Sequence, residues 1–450
     1  MTSFVGEMLS VIAERGRNLV TWPGADKSDR SVGALSHALL SEKGEASSIA
    51  IASELFESYG KLDEKQKLAY FLVLAEEFCA DVNQVQKTAE TFLNDPCDKN
   101  SFALHVSTEP RRQELFRRLN HAPDGTRQLV HMRHDLLKHI AKHPTLKNVD
   151  GDFHHLFISW FNRGFLVLQR INWATPATIL EKIIEYEAVH EIDSWDELRR
   201  RIQPSDRRCY AFFHPALTDD PLIFVEVALT EEISRSMAPV LSKERVLLEK
   251  PKINTAVFYS ISNCQAGLRG VSFGSFLIKQ VVEELAGELP QIKTFVTLSP
   301  IPGFLSWLDQ RMSDEGEVLL KLSPGDQKII TDIKLGYWPD RAEDRAQMKE
   351  ILLPLAADYL INAKRPHGKP VDPVARFHLG NGARLENLNW AGDHTTKGLA
   401  QSAGMMVNYL YEPGEIEKNH QIYENDEQIV ASATVTRLLK NLPALQGTKL

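Results

Sequence analysis

The chain has few cysteines, and no two of them are close together. Its 450 residues contain four cysteines, none in the C-x-x-C spacing of a zinc ribbon or a redox pair. They are Cys79, Cys97, Cys209 and Cys264. Scattered cysteines are typical of proteins in a reducing compartment, where disulfides do not persist. We therefore expect a cytoplasmic protein without disulfides or a structural zinc site.

The sequence has no features that indicate a membrane or a nucleic-acid partner. It has no run of about 18 apolar residues, so it predicts no membrane-spanning helix. Asp and Glu number 60 against 52 Lys and Arg, and no basic stripe with interleaved aromatic residues occurs, so we expect no nucleic-acid partner. A chain of 450 residues exceeds one ordinary compact core, and two domains are expected.

The hydrophobic pattern changes near residue 162. Before this point, apolar residues recur at helical spacing, and Asp63 with Gln66 has the pattern of a capping box. After it, runs rich in β-branched and aromatic residues appear, among them 209–213 and 222–229. The sequence predicts an all-α helical bundle over 1–161 and an α/β domain over 162–450. The bundle is a candidate for self-association.

A histidine-rich stretch lies towards the end of the helical part. His139 and His143 have the i, i+4 spacing that can hold a metal ion, but the H-E-x-x-H pattern is absent and no carboxylate cluster accompanies them. We interpret these histidines, together with His154 and His155, as solvated residues on helix faces. The sequence predicts no metal site.

The segment 256–304 is the most informative part of the chain. Residues 256–262 predict a buried strand, and 276–289 have the pattern of an amphipathic helix. Between them, glycines at 267, 270 and 274 allow the backbone to turn sharply and to approach a ligand. The N–H groups of such a loop and the positive end of the next helix can bind phosphate oxygens. Glycine spacing alone is equally typical of an ordinary strand-to-helix loop.

Two side chains with catalytic chemistry follow this loop. A second predicted strand, 294–298, leads to Ser299, which we expect in a rigid turn because two prolines follow it. His378 lies in the segment 374–385, which we interpret as a strand running into a Gly-Asn-Gly turn and out again. Its imidazole would then point away from the side chains on either side. The pattern suits a core histidine as well as a catalytic one.

Taken in order, these segments resemble the malonyl-CoA decarboxylase family. The matching stretches are FYSIS, QAGLRGVSFGSFLIK, LSPIPGF, DPVARFHLGNGA, NW and GMMVNYLY. The resemblance implies an N-terminal helical domain used in oligomerisation, as a homotetramer, and a C-terminal domain of the GNAT acetyltransferase fold. It implies conversion of malonyl-CoA to acetyl-CoA and CO₂, with no cofactor other than the coenzyme A of the substrate.

The resemblance also assigns site residues. It implies that Ser299 and His378 are the catalytic pair and that Tyr411 lies near the substrate. It further implies a loop for the CoA pyrophosphate, made of Arg269, Gly270, Val271, Ser272, Phe273, Gly274 and Ser275. The loop departs from the acetyltransferase signature Q/R-x-x-G-x-G/A, since Gly267 and Ser272 occupy its two end positions. Two alternatives stay open: an acyl-CoA N-acyltransferase and a non-catalytic acyl-CoA sensor.

Overall fold

The structure is a computed structural model. It describes residues 4–20, 30–245, 247–271, 277–312, 319–320, 323–334, 342–366, 368–442 and 445–446. The chain divides into two compact units. The first comprises Met1–Val167, Phe212–Leu222 and Asn263–Phe273, and the second comprises Leu168–Ala211, Ile223–Ser262 and Gly274–Leu450. A domain boundary between residues 161 and 162 stays a prediction.

The N-terminal part is helical, as expected. Its helices are α1 (Phe4–Arg17), α2 (Val32–Ser41), α3 (Glu45–Tyr59), α4 (Glu64–Glu76), α5 (Val82–Asn94), α6 (Asp98–Thr108), α7 (Arg111–Leu119), α8 (Gly125–Leu137) and α9 (Lys147–Trp160). The predicted capping box begins α4, where the Asp63 side chain accepts the Gln66 backbone N–H and the Gln66 side chain accepts that of Asp63. Buried aromatic residues fill the core, and the rings of Phe116 and Phe153 stack with centroids 4.0 Å apart.

From residue 167 onward the chain alternates strands and helices. The strands are β1 (Val167–Ile171), β2 (Arg207–Phe213), β3 (Ile223–Thr230), β4 (Thr255–Asn263), β5 (Thr294–Thr297), β6 (Ser299–Pro300), β7 (Leu319–Leu320), β8 (Arg384–Asn389), β9 (Met406–Tyr411) and β10 (Leu445–Gln446). The helices are α10 (Ala177–Tyr186), α11 (Trp195–Ile202), α12 (Met237–Leu241), α13 (Leu277–Glu288), α14 (Phe304–Met312), α15 (Pro324–Lys334), α16 (Ala342–Ile361), α17 (Pro373–Gly380), α18 (Thr396–Ser402), α19 (Ile416–Asp426) and α20 (Ala433–Leu438). No described helix has both the length and the apolar character needed to cross a membrane.

A mixed sheet forms the centre of the α/β part. Its order in the described chain is β1-β2-β3-β4-β5-β9-β6, with β8 also paired to β9. Strands β4 and β5 are parallel, with Phe258 opposite Thr297, whereas β9 runs antiparallel to β5, β6 and β8. Strand β9 therefore lies beside the strand that ends at Thr297 and beside the one that begins at Ser299.

The segment around His378 is a helix, so the predicted strand over this residue was wrong. The Asp372 carboxylate caps α17 by accepting the Ala375 N–H at 2.8 Å, and Pro373 takes the first helical position, where its missing N–H costs nothing. His378 and Leu379 are buried together with Ala375, at helical spacing. The Asp-Pro start signal outweighs the short alternating pattern that we read as a strand.

Ser299 lies in a short strand rather than in the predicted turn. Ser299 pairs with Val407 and Pro300 with Met406, so β6 is a two-residue strand at one end of the sheet order. Proline is compatible with such a terminal strand because it has no N–H to pair. The turn comes afterwards, where Gly303 has a φ of +105° and α14 begins.

Candidate active site

The structure brings Ser299 and His378 into contact. Their Oγ and Nε2 atoms are 3.1 Å apart, although 79 positions separate the two residues in the sequence. Strand β6 presents the serine and helix α17 presents the histidine. Both residues are buried, with 6% and 3% of their surfaces exposed. A hydroxyl and an imidazole in contact in a buried site can bind an anion and exchange a proton.

Tyr411 and Tyr409 enclose the imidazole from β9. The Tyr411 hydroxyl lies 2.8 Å from His378 Nδ1, so the second ring nitrogen also has a partner. The Tyr409 ring stacks on the imidazole, with ring centroids 4.6 Å apart and planes at 25°. The structure therefore places together three of the residues assigned by the family resemblance: Ser299, His378 and Tyr411.

Thr297 is a site residue that the sequence reasoning missed. The Ser299 hydroxyl donates to Thr297 Oγ1 at 2.9 Å, and the backbone N–H of Tyr409 donates to the same oxygen at 3.1 Å. Thr297 is fully buried. Residues two apart along an extended chain share a face, so the Thr-Leu-Ser order was the available signal.

The amides near the C-terminal end anchor the backbone under this site. Asn408 Nδ2 donates to the Thr297 carbonyl at 2.7 Å, and Asn389 Nδ2 donates to Asn408 Oδ1 at 2.7 Å. Met406 is buried in an apolar cluster that includes Val296 and Leu298. These contacts show that the two amides support the backbone and that the methionine packs in the core.

Burial keeps the side chains of the site uncharged at neutral pH. It lowers the pKa of His378 to about 3 and raises the pKa of Tyr411 and of Tyr409 well above the ordinary value. In a low-dielectric site the charged form of each group loses its hydration, which is the largest cause of all three shifts. The free site is therefore a neutral hydrogen-bonded cluster.

The helix that carries His378 is anchored at a buried carboxyl group. Tyr359 Oη lies 3.4 Å from Asp372 Oδ2, and the other oxygen of Asp372 caps α17. Burial raises the pKa of Asp372 to about 6 despite these hydrogen bonds. A helix cap of this kind contributes about 1 kcal/mol and determines where the helix begins, and hence where His378 lies.

The expected CoA loop is described only in part. Arg269 and Gly270 are exposed, and Val271 is buried. Ser272, Phe273, Gly274 and Ser275 lie outside the described residues. Gly270 has a φ of +83°, a left-handed conformation that favours glycine, so its residue type is explained by the turn.

The glycine before this loop is required by close packing against α8. A Cβ at Gly267 would lie 1.9 Å from the Val130 carbonyl oxygen, and Arg133 Nη1 donates to the Gly267 carbonyl at 2.9 Å. His154 Nε2 lies 3.1 Å from the Gly270 carbonyl oxygen. Gly267 thus serves the approach of a helix rather than of a ligand. His154 is partly exposed on α9, as expected, and its ring also contacts the loop backbone.

Comparison with known proteins matches the chain to one family along most of its length. A profile described as "Malonyl-CoA decarboxylase C-terminal domain" matches residues 164–448, and one described as "Malonyl-CoA decarboxylase N-terminal domain" matches residues 78–161. A relative from Anser anser anser named "Malonyl-CoA decarboxylase, mitochondrial" is 36% identical over 415 residues, which cover 85% of this chain and 82% of that protein. A relative of the same name from Rattus norvegicus is 34% identical over 436 residues, 89% of this chain and 87% of that protein.

Solved structures lead to the same family. The crystal structure of malonyl-CoA decarboxylase from Rhodopseudomonas palustris is 51% identical, with a TM-score of 0.86, and covers 93% of this chain and 100% of that chain. The crystal structure of malonyl-CoA decarboxylase from Agrobacterium vitis is 50% identical, with a TM-score of 0.85, and covers 91% of this chain and 99% of that chain.

These matches identify the reaction class and the family of the chain. The chain is an enzyme of the carbon–carbon lyase class, a carboxy-lyase. It belongs to the malonyl-CoA decarboxylase family, as the resemblance of its motifs indicated. The predicted architecture is confirmed, since a helical N-terminal part precedes a mixed α/β part. The GNAT fold of the α/β part stays an expectation from the family resemblance.

Proposed function

We propose that Ser299 and His378 carry out the decarboxylation of malonyl-CoA. The contact of 3.1 Å between Ser299 Oγ and His378 Nε2 in a buried site carries this proposal. A hydroxyl and an imidazole side by side can hold the malonyl carboxylate between them. A site closed to water strengthens these interactions.

The chemistry requires a grip on the carboxylate and a proton for the product. The bond between the carboxylate carbon and the α-carbon breaks, CO₂ leaves, and the electron pair delocalises into the thioester as an enolate. A proton then adds to the α-carbon and gives acetyl-CoA. The thioester itself accepts the electron pair, so we propose that the reaction uses no metal, biotin or pyridoxal group and that coenzyme A enters only as part of the substrate.

His378 is proposed to deliver that proton. The imidazole is neutral in the free enzyme, since burial lowers its pKa to about 3. The neutral imidazole carries one N–H proton, which it gives to the strongly basic enolate carbon, and a proton from solvent then restores it. General acid catalysis contributes about 10²- to 10⁴-fold, and one positioned oxyanion donor contributes about 2.7–4 kcal/mol.

Incubation of the purified enzyme with malonyl-CoA alone tests this function. We expect acetyl-CoA and CO₂ in equal amounts, without an added acceptor, metal or cofactor. An acyl-CoA N-acyltransferase would require an amine, and an acyl-CoA sensor would return malonyl-CoA unchanged. Either of those outcomes would contradict the proposed reaction.

We further propose that the loop from Arg269 to Ser275 binds the CoA pyrophosphate. Arg269 is exposed at the left-handed turn of Gly270, and α13 begins at Leu277 after the loop. A guanidinium group and a helix N-terminus both favour a phosphate group. The proposal predicts that Arg269 contributes to substrate binding rather than to the chemical step.

The hairpin of α5 and α6 supports self-association through the helical domain. Val82 and Leu93 on α5 are 73% and 78% exposed, and Phe102 and Val106 on α6 are 67% and 54% exposed. Neither helix has a buried residue. Exposed apolar side chains grouped in this way mark interaction surfaces. We propose a homotetramer, for which light scattering should give four times the chain mass of 50.8 kDa.

A cytoplasmic location is proposed from the state of the cysteines. Cys79 and Cys97 are exposed, Cys209 and Cys264 are buried, and the described structure joins none of the four in a disulfide. Cysteines without disulfides suit a reducing compartment. The matched goose and rat relatives carry the word mitochondrial in their names, which describes those proteins. Fractionation of the source cells, followed by immunodetection, tests the location.

A further inference from the structure

A chain of hydrogen bonds leads from Tyr411 to Thr297. Tyr411 Oη lies 2.8 Å from His378 Nδ1, His378 Nε2 lies 3.1 Å from Ser299 Oγ, and Ser299 Oγ lies 2.9 Å from Thr297 Oγ1. All four residues are buried. Because buried polar groups are satisfied by one another rather than by bulk water, each proton in this chain has to be assigned to one partner.

The direction of the chain is set at its Thr297 end. The Ser299 hydroxyl donates to Thr297 Oγ1, which also accepts the backbone N–H of Tyr409. A serine hydroxyl has one proton and two lone pairs. Since its proton is used at Thr297, Ser299 Oγ acts as an acceptor towards His378.

This direction selects one tautomer of His378. The imidazole is neutral, and a neutral imidazole has one N–H and one bare nitrogen. The proton lies on Nε2, which donates to Ser299, and bare Nδ1 accepts the Tyr411 hydroxyl. We propose that Thr297 is a positioning residue for the decarboxylation: by accepting the Ser299 hydroxyl, it holds His378 in the tautomer that carries its proton on Nε2.

This inference rests on the proposed roles of Ser299 and His378. In the Nε2–H tautomer the proton is on the side of Ser299, where the malonyl carboxylate is proposed to bind. In the Nδ1–H tautomer it would face Tyr411 instead. Without the Thr297 hydroxyl, the Ser299 proton can turn to His378 Nε2, and Nδ1–H then donates to Tyr411 Oη. The hydrogen bonds from Ser299 through His378 to Tyr411 then run in the opposite direction.

Thr297→Val tests this, because it removes the hydroxyl and keeps the shape of the side chain. We expect the proton of His378 to move from Nε2 to Nδ1. Magic-angle-spinning ¹⁵N NMR of the full-length enzyme labelled at histidine measures this, and a His378→Asn spectrum identifies the signal. With the proton on the wrong nitrogen, we expect kcat to fall by about 10²-fold or more, while KM for malonyl-CoA stays within about threefold.

Two control variants separate positioning from packing. Thr297→Ser keeps a hydroxyl at the same place and should return both the Nε2–H signal and most of kcat. Thr255→Val removes another buried threonine hydroxyl in the same sheet, one that donates to Asn254 Oδ1 at 2.7 Å. It should lower the melting temperature without changing the His378 signal or kcat.

Two NMR results would overturn the proposal. One is a wild-type spectrum with the proton on Nδ1, which needs no variant. The other is an unchanged Nε2–H signal in Thr297→Val, even if that variant is less stable. The spectra are recorded without substrate, so they do not depend on which groups are catalytic. Full activity of Ser299→Ala would contradict the proposed function and leave the tautomer result standing.

Discussion

The imidazole of His378 stacks on the ring of Tyr409, with centroids 4.6 Å apart. Burial is why the histidine stays neutral: an imidazolium in this position loses its hydration, and no carboxylate lies beside it in the described cluster. A proton donor that is neutral in the free enzyme has consequences for the pH dependence of both activity and stability.

The pH profile of kcat/KM should have no limb at pH 6.5, the ordinary pKa of a histidine. This quantity reports groups of the free enzyme, and the pKa of His378 is lowered to about 3 there. We expect a flat profile for malonyl-CoA between about pH 5 and 8, measured by acetyl-CoA formation. A limb with a midpoint between 6 and 7 that persists in Asp372→Asn, which lacks the buried carboxyl group with a pKa of about 6, would mean that His378 titrates as an exposed imidazole.

The protein should become less stable as the pH falls, because of His378. Its pKa is about 3 in the folded chain and 6.5 in the unfolded chain, so between these values the unfolded chain binds the extra proton. This contribution to the free energy of unfolding is fully present above pH 6.5 and is lost as the pH falls below that value. By pH 5 the loss is about 2 kcal/mol, from about 1.36 kcal/mol per unit.

The variant His378→Asn isolates this contribution. Buried His190, with a pKa lowered to about 4, and Asp372, with a pKa raised to about 6, are present in both proteins and cancel in the comparison. Denaturant titrations at pH 7 and pH 5 should show a smaller loss for the variant than for the wild type. Equal losses would contradict the buried, neutral state of His378.

Tyr411→Phe should reduce turnover without weakening substrate binding. The variant removes the hydroxyl 2.8 Å from His378 Nδ1 and leaves that nitrogen without its donor. We expect kcat to fall about tenfold, from a lost hydrogen bond of about 1–1.5 kcal/mol, with KM nearly unchanged. Tyr70→Phe is the matched control, since Tyr70 is buried and its hydroxyl bonds Ser36 in the helical part. If both variants behave alike, Tyr411 has no special role.

Arg269→Gln should weaken binding of malonyl-CoA with little effect on kcat. Loss of a charge-assisted hydrogen bond to a phosphate costs about 1.5–3 kcal/mol, which corresponds to a rise in KM of about 10-fold or more. The difference should shrink at high salt, because exposed charges are screened. Arg111→Gln, an exposed arginine at the start of α7, serves as control. An unchanged KM would remove Arg269 from the CoA site.

Local signals in the sequence account for much of the fold. The capping box at Asp63 and the helical spacing after it predicted α4, and the apolar run after Arg208 predicted most of β2. The wrong prediction of a strand at His378 also has a local reason. Asp372 and Pro373 are a helix start signal, and we gave more weight to the short alternating pattern that follows them.

The site itself depended on contacts that no local pattern encodes. The Thr-Leu-Ser order places Thr297 on the same strand face as Ser299, but only the strand pairing brings the Tyr409 N–H to its hydroxyl. The same holds for Gly267, which must be a glycine because the backbone of a distant helix packs against it. Arg133 on that helix is 134 positions earlier in the chain and donates to the Gly267 carbonyl. Chemistry-bearing residue types can be read from sequence, but their partners are set by tertiary packing.

The variants of the proposed pair call for matched controls. Ser299→Ala and His378→Asn remove the two groups in contact at 3.1 Å. Ser36→Ala and His214→Asn remove a buried serine and a buried histidine in the first unit. Circular dichroism and melting temperature identify any variant that has lost its fold. We expect Ser299→Ala to lose kcat by about 10²-fold, not merely affinity for CoA.

The turnover of malonyl-CoA by folded His378→Asn decides whether His378 is the proton donor. With the proton donor and one side of the carboxylate grip removed, kcat should fall by about 10²- to 10⁴-fold, while His214→Asn keeps wild-type turnover. Near-normal formation of acetyl-CoA by His378→Asn would contradict the account, because His378 could then be neither the proton donor nor an essential ligand of the malonyl carboxylate.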